Sequence, residues 1–193
     1  MTIRLVEPDI KYIESFLSVK EELIAVREDK RESSQEIMGA TSENFKEFVQ
    51  KLEDNKAGIN LPDGYVPGST FWIINEDNKF IGRVSLRHRL TEQLKIYGGH
   101  IGYFVRPSER KKGYASEALS MTLLEARKLG LKKVLITCDE DNIGSKRTIE
   151  KNGGELQDKL KQDNSETILL RHWIDLETAP KTNIKPKPDS IGL

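Results

Sequence analysis

The amino-acid sequence predicts an α/β (α+β) protein in which helices pack on one mixed β-sheet. Three stretches carry that prediction. "TFWIINEDNKFIGRVSLRHRL" reads as a hairpin, two β-rich runs joined by the polar turn "NEDNK". "KKVLITC" is an almost continuous apolar run, the pattern of a buried strand covered by helices. Between them, Ala115, Ala118, Leu119, Thr122, Ala126 and Leu129 recur at helical spacing over residues 113–129, and Gly130 follows as a stop.

The other elements follow in chain order. "IRLVEP" is a short first strand stopped by Pro8. Residues 10–28 carry Ile13, Phe16, Leu17, Leu23 and Ile24 at spacings that suit a helix. "TSENFKEFVQKLEDNKAG" reads as a second helix, capped by Thr41 or Ser42, striped by Phe45, Phe48, Val49 and Leu52, and ended by Gly58. "INLPDGYVPGS" is a turn-rich loop. In the second arm of the hairpin Phe80, Gly82, Val84, Leu86, His88 and Leu90 share one face, and Arg83, Ser85, Arg87 and Arg89 the other. "GGHIGYFV" is the next strand, ended by Pro107. After "KKVLITC" a short helix is expected over residues 143–151, halted by "NGG". Two strands near "ELQDKLK" and "ETILLRHWIDL" then follow, separated by "QDNS". Residues 177–193 mix proline, lysine and polar residues without periodicity and read as a flexible tail after a single domain of residues 1–176.

Composition narrows the function class. The 193 residues are 36% hydrophobic and 32% charged, and 31 basic residues balance 31 acidic ones. A formally neutral chain does not have the balance of a nucleic-acid or membrane-surface binder. The start lacks the basic-then-apolar pattern of a signal peptide, and no apolar run approaches the roughly 20 residues of a bilayer span. A single cysteine, Cys138, permits no internal disulfide and suits a reducing compartment. A cytoplasmic location is the expectation.

The most pointed motif is "ERKKGYASEAL". Arg110, Lys111 and Lys112 run into Gly113, Tyr114 and Ala115 where the clearest helix begins. A helix N-terminus offers unpaired N–H groups and the positive end of the dipole, and a glycine lets the backbone come close. Together they suit phosphate or pyrophosphate. A P-loop is excluded, because Lys-Ser/Thr does not follow Gly113, and a dinucleotide fingerprint needs more glycines. A basic surface loop before an ordinary helix is the plainer alternative.

In its context the motif resembles the GNAT superfamily of N-acetyltransferases. Three pieces match in order: the strand ending in Val105-Arg106-Pro107, the turn Arg110-x-x-Gly113-x-Ala115, and Asn142-x-x-Ser145. "RHRL" followed by "GGHIGYFVRP" is similar to a subgroup of bacterial predicted acetyltransferases. The resemblance implies a mostly antiparallel sheet of about seven strands, flanked by about four helices and splayed in the middle. It implies acetyl-coenzyme A as co-substrate, no metal, and direct transfer to a primary amine of a small molecule or peptide. A non-catalytic module that senses acyl-coenzyme A is the alternative. The pyrophosphate would lie on the backbone from Arg110 to Ala115, and the pantetheine along Phe104 and Val105. Asn142 and Ser145 would contact the rest of the coenzyme arm, although Asn142 equally suits a helix cap.

The catalytic candidates follow from departures within that resemblance. The family's glutamate position is occupied by Gly98-Gly99, and its tyrosine position by Ile149. His100 is the nearest titratable replacement for the base, provided that a bulge turns it toward the cleft, and otherwise it is bonded within the sheet. His88 is a second base candidate or a core histidine, and Tyr103 a proton donor or a packing residue. Cys138 is a conceivable acyl carrier that the mechanism does not need. Trp72 and Trp173 read as core or cleft wall. Arg83, Arg87 and Arg89 form a solvated face or select an acidic acceptor. The loop at residues 60–69 and the first helix pair form the acceptor side, and the last strand could pair across a homodimer.

Overall fold

The computed structural model describes residues 2–161 and 166–178. Strands β1 (Ile3–Val6), β2 (Gly68–Asn75), β3 (Phe80–Arg87) and β4 (Ile101–Val105) pair antiparallel in the order β1-β2-β3-β4. Strands β5 (Lys133–Asp139), β6 (Glu155–Lys161) and β7 (Ile168–Asp175) form a second antiparallel sheet, ordered β5-β7-β6. All seven strands lie where the sequence places them, and the splay that the resemblance implies in the middle of the sheet divides it into a four-stranded and a three-stranded part.

The division falls between β4 and β5, where no ladder forms. One isolated bridge, Gly99 to Ile136, joins the sheets, and the His100 N–H donates to the Leu135 carbonyl at 2.6 Å. Gly99 makes the joint feasible. Its φ of +65° suits glycine, and a Cβ there would sit 2.4 Å from the Leu135 carbonyl oxygen. Beyond this point β4 keeps one edge without a strand partner among the described residues.

The described residues hold seven α-helices and two 3-10 turns, more than the four helices the resemblance implies. The predicted helix over residues 10–28 is a 3-10 turn (Ile10–Tyr12) followed by α1 (Ile13–Leu17) and α2 (Val19–Ala25). Ser18 separates α1 from α2, and its hydroxyl donates back to the Ser15 carbonyl at 2.8 Å. Helix α3 (Glu32–Gly39) was not expected from its polar sequence, and its Ile37 is fully buried in the core. Helix α4 (Phe45–Ala57) ends at Gly58 as predicted. Neither predicted cap starts it: Thr41 and Asn44 instead exchange side-chain and backbone bonds one turn earlier. Helix α5 (Glu92–Ile96) is a single turn capped by Thr91. A second 3-10 turn (Pro107–Glu109) precedes α6 (Tyr114–Lys128), and α7 (Ile143–Lys151) has the predicted bounds.

Three hydrophobic clusters hold the described residues together, and two of them bear most on the site. Phe16, Phe45, Trp72 and Phe80 pack edge to tilted face under α1 to α4, with ring centroids 4.8 to 5.9 Å apart. Trp72 is therefore core. Leu119, Leu123 and Ala126 of α6 meet Val84, Leu86 and Ile101 of the first sheet and Val134, Ile136 and Ile174 of the second. Helix α6 thus spans the division, and truncating Leu119 to alanine would cost about 2–5 kcal/mol. Residues 177 and 178 form a turn whose N–H groups donate to Asp175. The rest of the predicted tail and the "QDNS" spacer lie outside the described residues. Among those residues no helix is long and apolar enough to cross a membrane.

Candidate functional site

The open edge of β4 leads into the start of α6. Lys111 takes φ +63° and Gly113 φ +87°, and no side chain caps the helix. The Ser116 and Glu117 N–H groups donate to the Gly113 carbonyl at 3.0 and 3.2 Å, and no side chain closes the turn ahead of them. A Cβ built on Gly113 meets nothing within 4 Å, so the approach is open. Tyr114 is buried behind the turn and Ala115 is half-buried. This backbone can receive an anion.

The three cations of the turn do different things. The Arg110 guanidinium forks onto the two Glu28 oxygens at 3.0 and 2.6 Å, and its Nε donates to the Val105 carbonyl at 3.1 Å. Lys112 pairs with Glu109 at 2.9 Å, and Glu109 also holds Lys79. Lys111 alone of the three is exposed without a carboxylate partner among the described residues. Two of the three side chains therefore brace the turn through Glu28 and Glu109.

Glu22 and Glu28 of the α2 region were not found by sequence reasoning. Arg106, only 4% exposed, bonds Glu22 through Nε at 2.9 Å and also through Nη2. It donates further to the Phe80 and Ser15 carbonyls and the Ser18 hydroxyl. Burial pushes the Glu22 carboxyl up, but bonds from Arg106 and Ser108 outweigh it and hold it below the ordinary carboxylate value. These partners lie more than 80 residues apart in sequence, so no local signal marks them.

On the far side of the gap Asn142 caps α7, its Oδ1 accepting the Ser145 N–H at 3.0 Å. The Ser145 hydroxyl meets the Tyr103 hydroxyl at 2.6 Å. Tyr103 therefore reaches from β4 across to α7. Burial pushes its phenol up to about 12, against bonds from Ser145 and Thr148. Cys138, at the end of β5, is buried, and that burial pushes its thiol up to about 11. It is a protonated thiol at neutral pH, unsuited to carrying an acyl group. Val105 is half-buried beside the open edge, while the Phe104 side chain packs into the aromatic core.

The two candidate histidines, His100 and His88, bond elsewhere than Tyr103. His100 is buried, and its Nδ1 accepts the Leu135 N–H at 2.9 Å. That bond assigns the ring proton to Nε2 and occupies the lone pair a base would use. Burial and the nearby Arg87 charge lower its pKa to about 4. His100 as general base is corrected on this geometry: the glycine pair does distort the strand, but it presents the ring to the joint between the sheets. His88 Nε2 lies 2.9 Å from the Ser69 hydroxyl, and burial followed by the Lys56 charge lowers its pKa. It stands four residues beyond Val84, the register partner of Tyr103, or about 13 Å along the strand.

The family model described as an acetyltransferase (GNAT) domain matches residues 21–155. An uncharacterized N-acetyltransferase of Bacillus subtilis (strain 168), YnaD, is 31% identical over 112 residues, which are 55% of this chain and 61% of that protein. The match thus spans less than two thirds of that relative. Among solved structures, the microcin C7 self-immunity acetyltransferase MccE in complex with acetyl-CoA and AMP superposes with a TM-score of 0.65 at 18% identity, covering 90% of this chain and 92% of that one. The ribosomal L7/L12 alpha-N-protein acetyltransferase RimL in complex with coenzyme A superposes with a TM-score of 0.66 at 18% identity, covering 91% and 94%. An acetyltransferase of the GNAT family from Bacillus anthracis gives 0.62 at 21% identity, covering 92% and 96%.

Proposed function

Because the chain belongs to the GNAT acetyltransferase family, we propose that it transfers the acetyl group of acetyl-coenzyme A directly to a primary amine of a small molecule or peptide. The observation that carries this reading is the unpaired edge of β4 running into the uncapped, glycine-led start of α6. The edge offers backbone groups to the pantetheine amides as an added strand would. The α6 turn offers N–H groups of residues 110–115, and Lys111 offers charge, to the pyrophosphate. Asn142 and Ser145 border the coenzyme arm from α7.

The acceptor must attack as a free amine, and the coenzyme sulfur must leave. A backbone N–H of β4 near Val105 would receive the developing oxyanion. The Tyr103–Ser145 pair is the proton source for the thiolate: a phenol held up to about 12 stays protonated throughout the physiological range. Neither His100 nor His88 bonds to that pair, and the amine proton would leave to water in the cleft. Alignment of the two substrates then supplies much of the acceleration. The domain of residues 1–176 would act as one unit, in the cytoplasm, alone or as a homodimer.

The test is acetyl-coenzyme A binding by calorimetry, then thiol release over a panel of amines. Binding with turnover on at least one amine is the expected result. Binding without turnover on any amine would make the protein an acyl-coenzyme A sensor. Failure to bind would overturn the reading.

A further inference from the structure

Among the described residues four buried or half-buried arginines meet a carboxylate: Arg83 with Glu36, Arg106 with Glu22, Arg110 with Glu28 and Arg171 with Asp158. Arg87 does not. Its Nη1 donates to the Gly99 carbonyl at 2.9 Å, with the Gly98 carbonyl at 3.5 Å, and no carboxylate lies within ion-pair reach among the described residues. Burial lowers its pKa, so the charge is partly desolvated and meets no opposing charge among the described residues. A guanidinium in that condition gains most from a two-pronged bond to an arriving carboxylate.

Its surroundings leave room for one. Arg87 lies opposite Gly68 in the β2–β3 register, and the next row on the same face is Thr70, Ser85 and Gly102 across three strands. All five residues are half-exposed. One row further, Trp72, Arg83 and Phe104 are covered by the α1–α4 layer. A trough of small residues therefore begins where the helices stop, runs beside the open edge of β4, and ends at a partly desolvated cation. The two rows are about 7 Å apart.

We propose that this trough is the acceptor subsite and that Arg87 selects amine acceptors bearing a carboxylate, as an acidic amino acid or an acidic peptide does. The inference rests on the acetyl-transfer reading for its geometry, but its test needs no turnover. The probes are already acetylated: N-acetyl-glutamate against N-acetylglutamine amide as the small arm, and an N-acetylated tripeptide rich in Asp against its Asn counterpart as the peptide arm. Each is titrated into the full chain with coenzyme A present. Acetyl-coenzyme A binding is measured separately on the same sample, so loss of coenzyme binding condemns the function and not the subsite.

The expected result is that the acidic member of at least one pair binds about tenfold tighter than its neutral counterpart. That preference should fall to within about threefold in Arg87→Gln and be partly kept in Arg87→Lys. The arm that shows it identifies the source of the carboxylate. A preference near one in both arms of the wild-type protein would overturn the inference, and that comparison needs no variant to fold. A preference that survives intact in Arg87→Gln would overturn it as well. The ratio separates selection from a purely structural role, because a loosened Gly98–Gly99 joint would weaken acidic and neutral probes alike.

Discussion

Helices α6 and α7 both start beside the gap between the sheets, and they start in opposite ways. The first turn of α6 follows two positive-φ residues, Lys111 and Gly113, and no side chain caps it. The first turn of α7 is closed by Asn142, whose Oδ1 takes the Ser145 N–H. Both termini carry the same dipole, so what distinguishes them is whether a side chain occupies the first turn: Ser116 N–H finds only the Gly113 carbonyl, Ser145 N–H the Asn142 side chain. The difference teaches where an anion belongs: the uncapped terminus can receive a diphosphate, whereas the capped one positions a side chain, Ser145, against Tyr103.

Closing the open terminus should have the largest effect. Gly113→Glu adds a side chain at φ +87° and a negative charge where an anion is to bind. We expect acetyl-coenzyme A affinity to fall by about a hundredfold or more in calorimetry, a loss of roughly 3 kcal/mol. Retained affinity would erase the contrast between the two helices. Tyr103→Phe tests the capped side. It should lower turnover about 10- to 100-fold while leaving coenzyme affinity within a few-fold, since only a proton donor is lost. The wild-type pH profile sharpens this. Tyr103 works in its protonated form, and its pKa near 12 keeps that form present, so activity should rise with deprotonation of the acceptor and show no falling limb below about pH 11.

Smaller effects follow. Asn142→Ala removes the α7 cap and should cost about 1 kcal/mol in denaturant unfolding, with a modest change in coenzyme affinity. An effect on affinity as large as that of Gly113→Glu would mean that the two termini serve the ligand equally. The joint beneath both helices has its own signature. His100 titrates near 4 in the fold and near 6.5 when unfolded, so between those values the unfolded chain holds more protons. Stability should be fully present above about pH 6.5 and fall as pH drops toward 4. His100→Gln should flatten that part of the curve. Lys111→Ala should have the smallest effect, a few-fold loss of coenzyme affinity that shrinks further at high salt because the group is exposed.

Much of this arrangement was legible in the chain. Helix α7 and strands β5 to β7 announce themselves by local pattern: an apolar run for β5, Asn142 before α7, and "NGG" after it. The α6 turn was legible because its φ values and its glycine are set by neighbours in sequence. Helices α3 and α5 were missed for the converse reason. They are short or polar, and what holds α3 is Ile37 meeting a distant core. The candidate site divides the same way. Backbone positions 110–115 could be read from sequence, but the assignment of Arg110 and Arg106 to Glu28 and Glu22 could not, because pairing energy depends on distance in space.

By itself, then, the sequence determined the order of strands and helices, the glycine-led turn into α6, and the family to which that pattern belongs. Only the tertiary structure decided that the sheet opens beyond the Gly99–Ile136 bridge, that His100 spends its lone pair on Leu135, that Tyr103 meets Ser145, and that Arg87 donates to the Gly98 and Gly99 carbonyls. The physical reason is common to all four. Local preferences are settled within a few residues by sterics and periodicity, whereas the state of a buried lone pair, proton or charge is settled by whichever group the fold brings within 3 Å of it.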